Sequence, residues 1–189
     1  LILPEAYLES DMTHNINKVN RNMETYLAYN LFEKHEGFVL VERRTPFVKK
    51  RLGLVIAIDL EEYEYEPGKP GKIRATEKTV VERIPPRVEI RENAPLELPH
   101  VLVLIDDPNE TVIEPLCDQT MHLRCVYDFD LMLNGGHIEG YAIEDPETIE
   151  QLMNRLSKLT TEDGLLYAVG DGNHSLATAK QCWDNLKQN

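Results

Sequence analysis

Cysteine is scarce, with only Cys117, Cys125 and Cys182 in a chain of 189 residues. An odd count without CxxC spacing fits a reducing cytosol better than a disulfide framework or a zinc site. Aromatic residues are few as well, at 7% with a single tryptophan, and no aromatic platform for stacking bases stands out. Positive charge is in deficit: 20 Lys and Arg against 33 Asp and Glu give a formal net charge of −13. That balance disfavours non-specific attraction to nucleic acid or to an anionic membrane surface. Long apolar runs are missing too, since no stretch approaches the ~18 residues that a membrane span needs. What remains is the expectation of a cytoplasmic globular protein whose partner is neither nucleic acid nor membrane.

The residues that are present have an ordinary globular balance, 42% hydrophobic and 28% charged. Ile16, Val19, Met23, Leu27 and Leu31 recur at three- and four-residue steps and predict a helix over 14–34, with Asp11 and Thr13 as candidate caps. "GFVLVER" reads as a strand and "RLGLVIAIDLEEY" as a longer, largely buried one, followed by the turn "YEYEPGKPGK". "KIRATEKTVVERI" and "RVEIR" read as strands interrupted by Pro85 and Pro86, and "PHVLVLIDDP" is the strongest buried-strand signal. "HIEGYAI" is a short strand. A second amphipathic helix carries Pro146 in its first turn and Ile149, Leu152, Met153, Leu156 and Leu159 along one face. The strand "LLYAV", a glycine turn and a final helix complete the chain. Strands in runs with helices at both ends predict an α+β fold, a mixed sheet with helices packed at its ends and on one face. We expect one domain over residues 1–189. The abrupt start at Leu1 and a helical pattern still running at Asn189 give the expectation of a piece of a longer protein.

Four constellations could carry chemistry. In "GDGNHS" a strand runs into Gly170 and Gly172, and a helix begins near His174 or Ser175. The unpaired amides at a helix start attract anions such as phosphate. Asp171 adds a carboxylate, Asn173 and Ser175 polar side chains, and His174 an imidazole. The same residues also make an ordinary tight turn with a helix cap. In "IRATEKTVVERIPPRVEIR", Arg74, Lys78, Arg83, Arg87 and Arg91 crowd together in an acidic chain. As a hairpin they could meet a polyanionic ligand, with Glu77 among them as a base or metal ligand; alternatively they pair with nearby glutamates on solvated faces. Asp106 and Asp107 leave a buried strand, where Asp106 could hold magnesium or both could cap a turn before Pro108. "NGG" before His137 reads as a hairpin turn, although that histidine could line the same cleft as His174.

Taken in order, "RLGLVIAIDLEEYEY", "KIRATEKTVVERIPPRVEIRENAPLELPHVLVLIDDP", "YDFDLMLNGGHIEGY" and "YAVGDGNHSLATAK" resemble the domain-of-unknown-function family numbered one thousand and fifteen. The resemblance runs from Leu1 to about Lys180, and the family's proteins extend further at both ends. Its "DGHHR" motif aligns with Asp171, Gly172, Asn173, His174 and Ser175. That motif is in turn similar to the phosphate-binding turn of the ParB/sulfiredoxin-like fold, which includes nucleotide-dependent free-serine kinases and CTP-binding partition proteins. The likeness implies that the helix start at His174 cradles nucleotide phosphates and that Glu77 is the nearest catalytic or metal-binding acid. Asn173 and Ser175 depart from the motif, and the missing arginine removes a bidentate phosphate ligand. The family has no firmly assigned activity.

Three functions follow as expectations. The first is a phosphotransferase that uses a nucleoside triphosphate with magnesium on a small hydroxyl-bearing metabolite. Glu77 and Asp171 would be its catalytic acids, and Gly170, Gly172, Asn173, His174, Ser175, Arg74 and Lys78 would hold the ligand. The second is a module that binds a nucleotide or small anion without turning it over. The third is an interaction domain in which these constellations are only turns.

Overall fold

A computed structural model of the chain describes residues 1–8, 12–98 and 100–188. In chain order the elements are α1 (Met12–Ala28), β1 (Phe38–Arg44), β2 (Arg51–Val55), β3 (Tyr63–Glu64), β4 (Ile73–Ala75), α2 (Ile84–Arg91) and β5 (Leu102–Leu104). They continue with α3 (Glu114–Cys117), β6 (Arg124–Leu131), β7 (Gly136–Ile143), α4 (Pro146–Ser157), β8 (Tyr167–Asp171) and α5 (Asn173–Gln188). The fold class is α+β, with two four-stranded sheets. The chain divides into two compact units, the first made of Leu1–Glu33, Asp59–Ile105 and Thr161–Asn189, the second of Lys34–Ile58 and Asp106–Thr160. Among the described residues, no helix is long and apolar enough to cross a membrane.

The second unit is built on an antiparallel sheet of order β2-β1-β7-β6. Leu40 of β1 faces Leu54 on one side and Tyr141 on the other, and its side chain is buried. β6 and β7 form the hairpin expected around "NGG". Its turn needs left-handed backbone at Leu133 and Asn134, and Gly136 has φ +92°. A Cβ on Gly136 would stand 1.8 Å from the carbonyl oxygen of Arg44, so only glycine fits beside β1 there. Asp145 caps α4 by accepting from the Thr148 amide and hydroxyl at 2.8 and 2.7 Å, and Pro146 occupies the first turn, where no donor is needed. Leu152 and Leu156 are buried as their spacing predicts, whereas Met153 in the same stripe is 49% exposed. The Asp107 carboxylate accepts from the amides of Thr111 and Val112 at 2.7 and 2.8 Å, which is the turn-capping alternative for that residue.

The first unit carries a sheet of order β3-β4-β8-β5, in which β3, β4 and β8 run parallel and β5 is an antiparallel edge. Several elements differ from expectation here and in the flanking segments. α1 ends at Ala28 rather than near residue 34, because Asn30 takes φ +51° and the Leu31 amide reaches back to the Tyr26 carbonyl, a left-handed helix stop. Thr13 lies inside α1 instead of capping it, and Asp11 is outside the described residues. "RLGLVIAIDLEEY" yields only the edge strand β2; the chain then leaves the sheet, and Asp59 caps a short 3-10 helix at Leu60–Glu62. Pro85 and Pro86 do not interrupt strands, since 84–91 is helical with the prolines at the first positions of α2, where missing N–H groups cost nothing. "HVLVLI" is not a central strand either. Only Leu102–Leu104 pair, on one side, and Leu102 and Leu104 are 54% and 48% exposed.

Candidate functional site

Parallel pairing of β4 with β8 sends both chains off the same sheet edge. Ile73 faces Tyr167, Arg74 faces Ala168 and Ala75 faces Val169. The segment after β4, residues 76–80, is then fastened to the segment after β8. Thr76 donates its amide and hydroxyl to the Val169 carbonyl at 3.3 and 2.7 Å. Asn173 Nδ2 donates to Thr79 Oγ1 at 3.2 Å, a bond between two buried side chains, and the Val80 amide donates to His174 Nε2 at 3.0 Å. Both ends of the 76–80 loop are thereby pinned beside the start of α5. Glu77 and Lys78 occupy the middle of that loop, and both are exposed.

The start of α5 is shaped by Gly172. Its φ is +84°, and a Cβ there would lie 2.3 Å from the His100 carbonyl oxygen. Asp171 Oδ1 accepts from the Gly172 amide at 2.8 Å, and the Gly172 carbonyl accepts from Leu176 as the helix begins. His174 accepts the Val80 amide at Nε2, so that ring nitrogen is occupied within the protein. Ser175 presents its hydroxyl and carbonyl to Arg91 Nη1 at 3.2 and 2.6 Å, while the rest of that guanidinium grips Glu97. Beneath the turn, the Tyr63 hydroxyl donates to the Asn173 carbonyl at 3.3 Å, and burial pushes the phenol up to about 12. Ser175 and Arg91 also border a cavity of about 230 Å³ whose lining mixes Val19, Met23 and Ile90 with Arg87 and Glu97.

Glu77, Lys78, Asp171, Gly172, Asn173 and His174 therefore come to one sheet edge. Gly170 lies just before it within β8, where a Cβ would meet Leu104 Cδ1 at 3.0 Å. Arg74 is engaged elsewhere. Its Nη1 and Nη2 bond the side chain and carbonyl of Asp163 at 2.6 Å each, and its Nε bonds the Gly71 carbonyl at 2.9 Å. Hydrogen bonding from the Thr161 hydroxyl, then the Arg74 guanidinium, holds the Asp163 carboxyl at about 2. The five cations do not converge as a hairpin would have them, because 84–91 is a helix and Arg87 bonds the Arg83 carbonyl one turn back. Asp106 is exposed and belongs to the second unit, as does His137. Sequence reasoning passed over Thr76 and Thr79. The signal was the "TEKT" pattern itself, hydroxyls bracketing the acid and the lysine.

This edge defines an α+β protein in which a strand-to-helix glycine turn is roofed by the loop of the neighbouring parallel strand. The chain matches the family described as Protein of unknown function (DUF1015) over residues 1–189, and it belongs to that family. No curated protein and no solved structure matches it.

Proposed function

We propose that the first unit binds a nucleoside triphosphate at the start of α5 and transfers a phosphoryl group to a small hydroxyl-bearing metabolite. The observation that supports this is the pinning of residues 76–80 onto the turn, which brings an acid and a lysine beside helix-start amides. The similarity of the turn to the ParB/sulfiredoxin-like phosphate-binding motif points the same way. In this reading the amides from Asn173 onward and the Lys78 ammonium take phosphate oxygens. Glu77 accepts the proton of the acceptor hydroxyl as its oxygen attacks the terminal phosphorus. The new O–P bond forms as the bridging bond to the leaving phosphate breaks, and the nucleoside diphosphate departs. Asp171 offers the hard oxygen donors that magnesium takes, and bound magnesium would neutralise phosphate charge.

A second reading, binding without turnover, is favoured by a specific observation. Asn173, His174 and Ser175 all spend side-chain groups on bonds within the protein, and Ser175 stands where the family motif has arginine. Calorimetric titration with ATP, CTP and GTP in the presence of magnesium, paired with a product assay, separates the two. The phosphotransferase reading expects heat from at least one nucleotide, and product that disappears in Glu77→Gln while binding persists. Binding without product in either protein selects the sensing module. Absence of heat with all three overturns both.

A further inference from the structure

On the β6–β7 hairpin of the second unit, Asp128 faces Glu139 and Asp130 faces His137. Alternation along each strand places all four on one face of the sheet. Asp128 Oδ1 lies 2.8 Å and Glu139 Oε1 3.3 Å from the same atom, His137 Nε2. A ring nitrogen carries at most one hydrogen, so it can serve only one of these carboxylates well. Arg44 also pairs with Glu139 Oε1, but Asp128 and Glu139 still converge on a single N–H, where a bound cation would balance both together. The three ligand atoms all lie within 4.8 Å of one another.

We propose that His137 Nε2, Asp128 and Glu139 form a site for a first-row divalent cation of the Zn²⁺ type. Ligand atoms bonded to such an ion at 2.0–2.1 Å stand about 3.4 Å apart in a tetrahedron. The observed separations from Nε2 are already close to that spacing. Asp128, 61% exposed, can swing outward by the small distance required, while Glu139 and His137, at 14% and 28%, are held by the sheet. Asp130 accepts from His137 Nδ1 at 2.7 Å, which fixes the ring and leaves Nε2 for the metal, the usual carboxylate support of a ligating histidine. The Tyr141 hydroxyl donates to Glu139 Oε2 at 2.7 Å and Arg44 donates to Oε1, where a second lone pair remains for the ion. One imidazole with two carboxylates suits zinc, cobalt or manganese better than magnesium or calcium, which prefer all-oxygen shells. Three protein ligands on an exposed face leave a coordination position for water. The site is independent of the phosphate-binding reading of the first unit.

The test titrates the whole chain with Zn²⁺ by calorimetry and with Co²⁺ by visible absorption. One equivalent should bind, with cobalt d–d bands of four- or five-coordination and no thiolate charge-transfer band, and millimolar Mg²⁺ should not displace it. His137→Ala should remove that equivalent, with circular dichroism confirming the fold. Asp128→Asn, at an exposed position, should weaken binding at least tenfold, and Asp130→Asn by about 10- to 100-fold, as loss of such support typically does. Absence of binding, binding carried by a thiolate band, displacement by Mg²⁺, or an affinity unchanged in Asp128→Asn would each overturn the proposal.

Discussion

One missing side chain shapes the glycine turn, and one carboxylate away from it works through its charge. Gly172 has none because the left-handed backbone and the His100 carbonyl leave no room for a Cβ. Gly172→Ala should therefore lower stability by about 2–4 kcal/mol, combining left-handed strain with a steric clash. Chemical denaturation measures it, and a loss under 0.5 kcal/mol would contradict the geometry. Asp163 works through charge. Its carboxyl is held at about 2 in the folded chain, against about 3.9 for a free aspartate. Its folded-state value is depressed, so its stabilising contribution is full above pH ~4 and is lost as pH falls toward 2. The melting-temperature gap between wild type and Asp163→Asn should stay constant from pH 7 to 5 and close between pH 4 and 2. A gap as wide at pH 2.5 as at pH 7 would show that the Asp163 charge is not what Thr161 and Arg74 hold.

At the scale of elements, legibility depended on whether a segment carried its own instructions. α4 did: Asp145 caps it, Pro146 starts it, and Leu152 and Leu156 repeat at helical spacing and are buried. Asp145→Ala should cost about 1 kcal/mol by removing the bonds to Thr148, read by thermal unfolding, whereas Thr148→Ser should be nearly silent because serine keeps the hydroxyl donor. α2 and β5 misled for opposite reasons. Paired prolines look like strand breakers until they are seen as a helix start, and the run at 101–105 has the composition of a central strand but only one pairing partner. The candidate site was half legible. The "GDGNHS" turn stands between a strand and a helix in sequence alone, yet its roof depends on β4 lying parallel to β8, with Ile73 facing Tyr167 far along the chain, which no local pattern encodes. The hairpin cluster was legible in principle, because D-x-D facing H-x-E shares one face once the strand register is known.

At the scale of the molecule, both units are assembled from separated stretches of chain. β1, from the first stretch of the second unit, is clasped between β2 and β7, so the sheet β2-β1-β7-β6 needs both stretches to close. Backbone protection in each sheet should accordingly follow the packing of that sheet. Leu40 provides the probe, being 1% exposed at the centre of β1. Leu40→Ala should cost about 2–5 kcal/mol through lost burial and the cavity left behind. Native-state hydrogen exchange should show that loss at the amides of β1, β7 and β6, with β4, β8 and α5 changing by much less, because opening free energies follow cooperative units. Equal acceleration in both sheets would mean that the two units unfold as one, and that a disturbance at the hairpin cluster is felt at the glycine turn. A confined change would mean that ligand binding at the turn and cation binding at the hairpin can be titrated separately in the same chain.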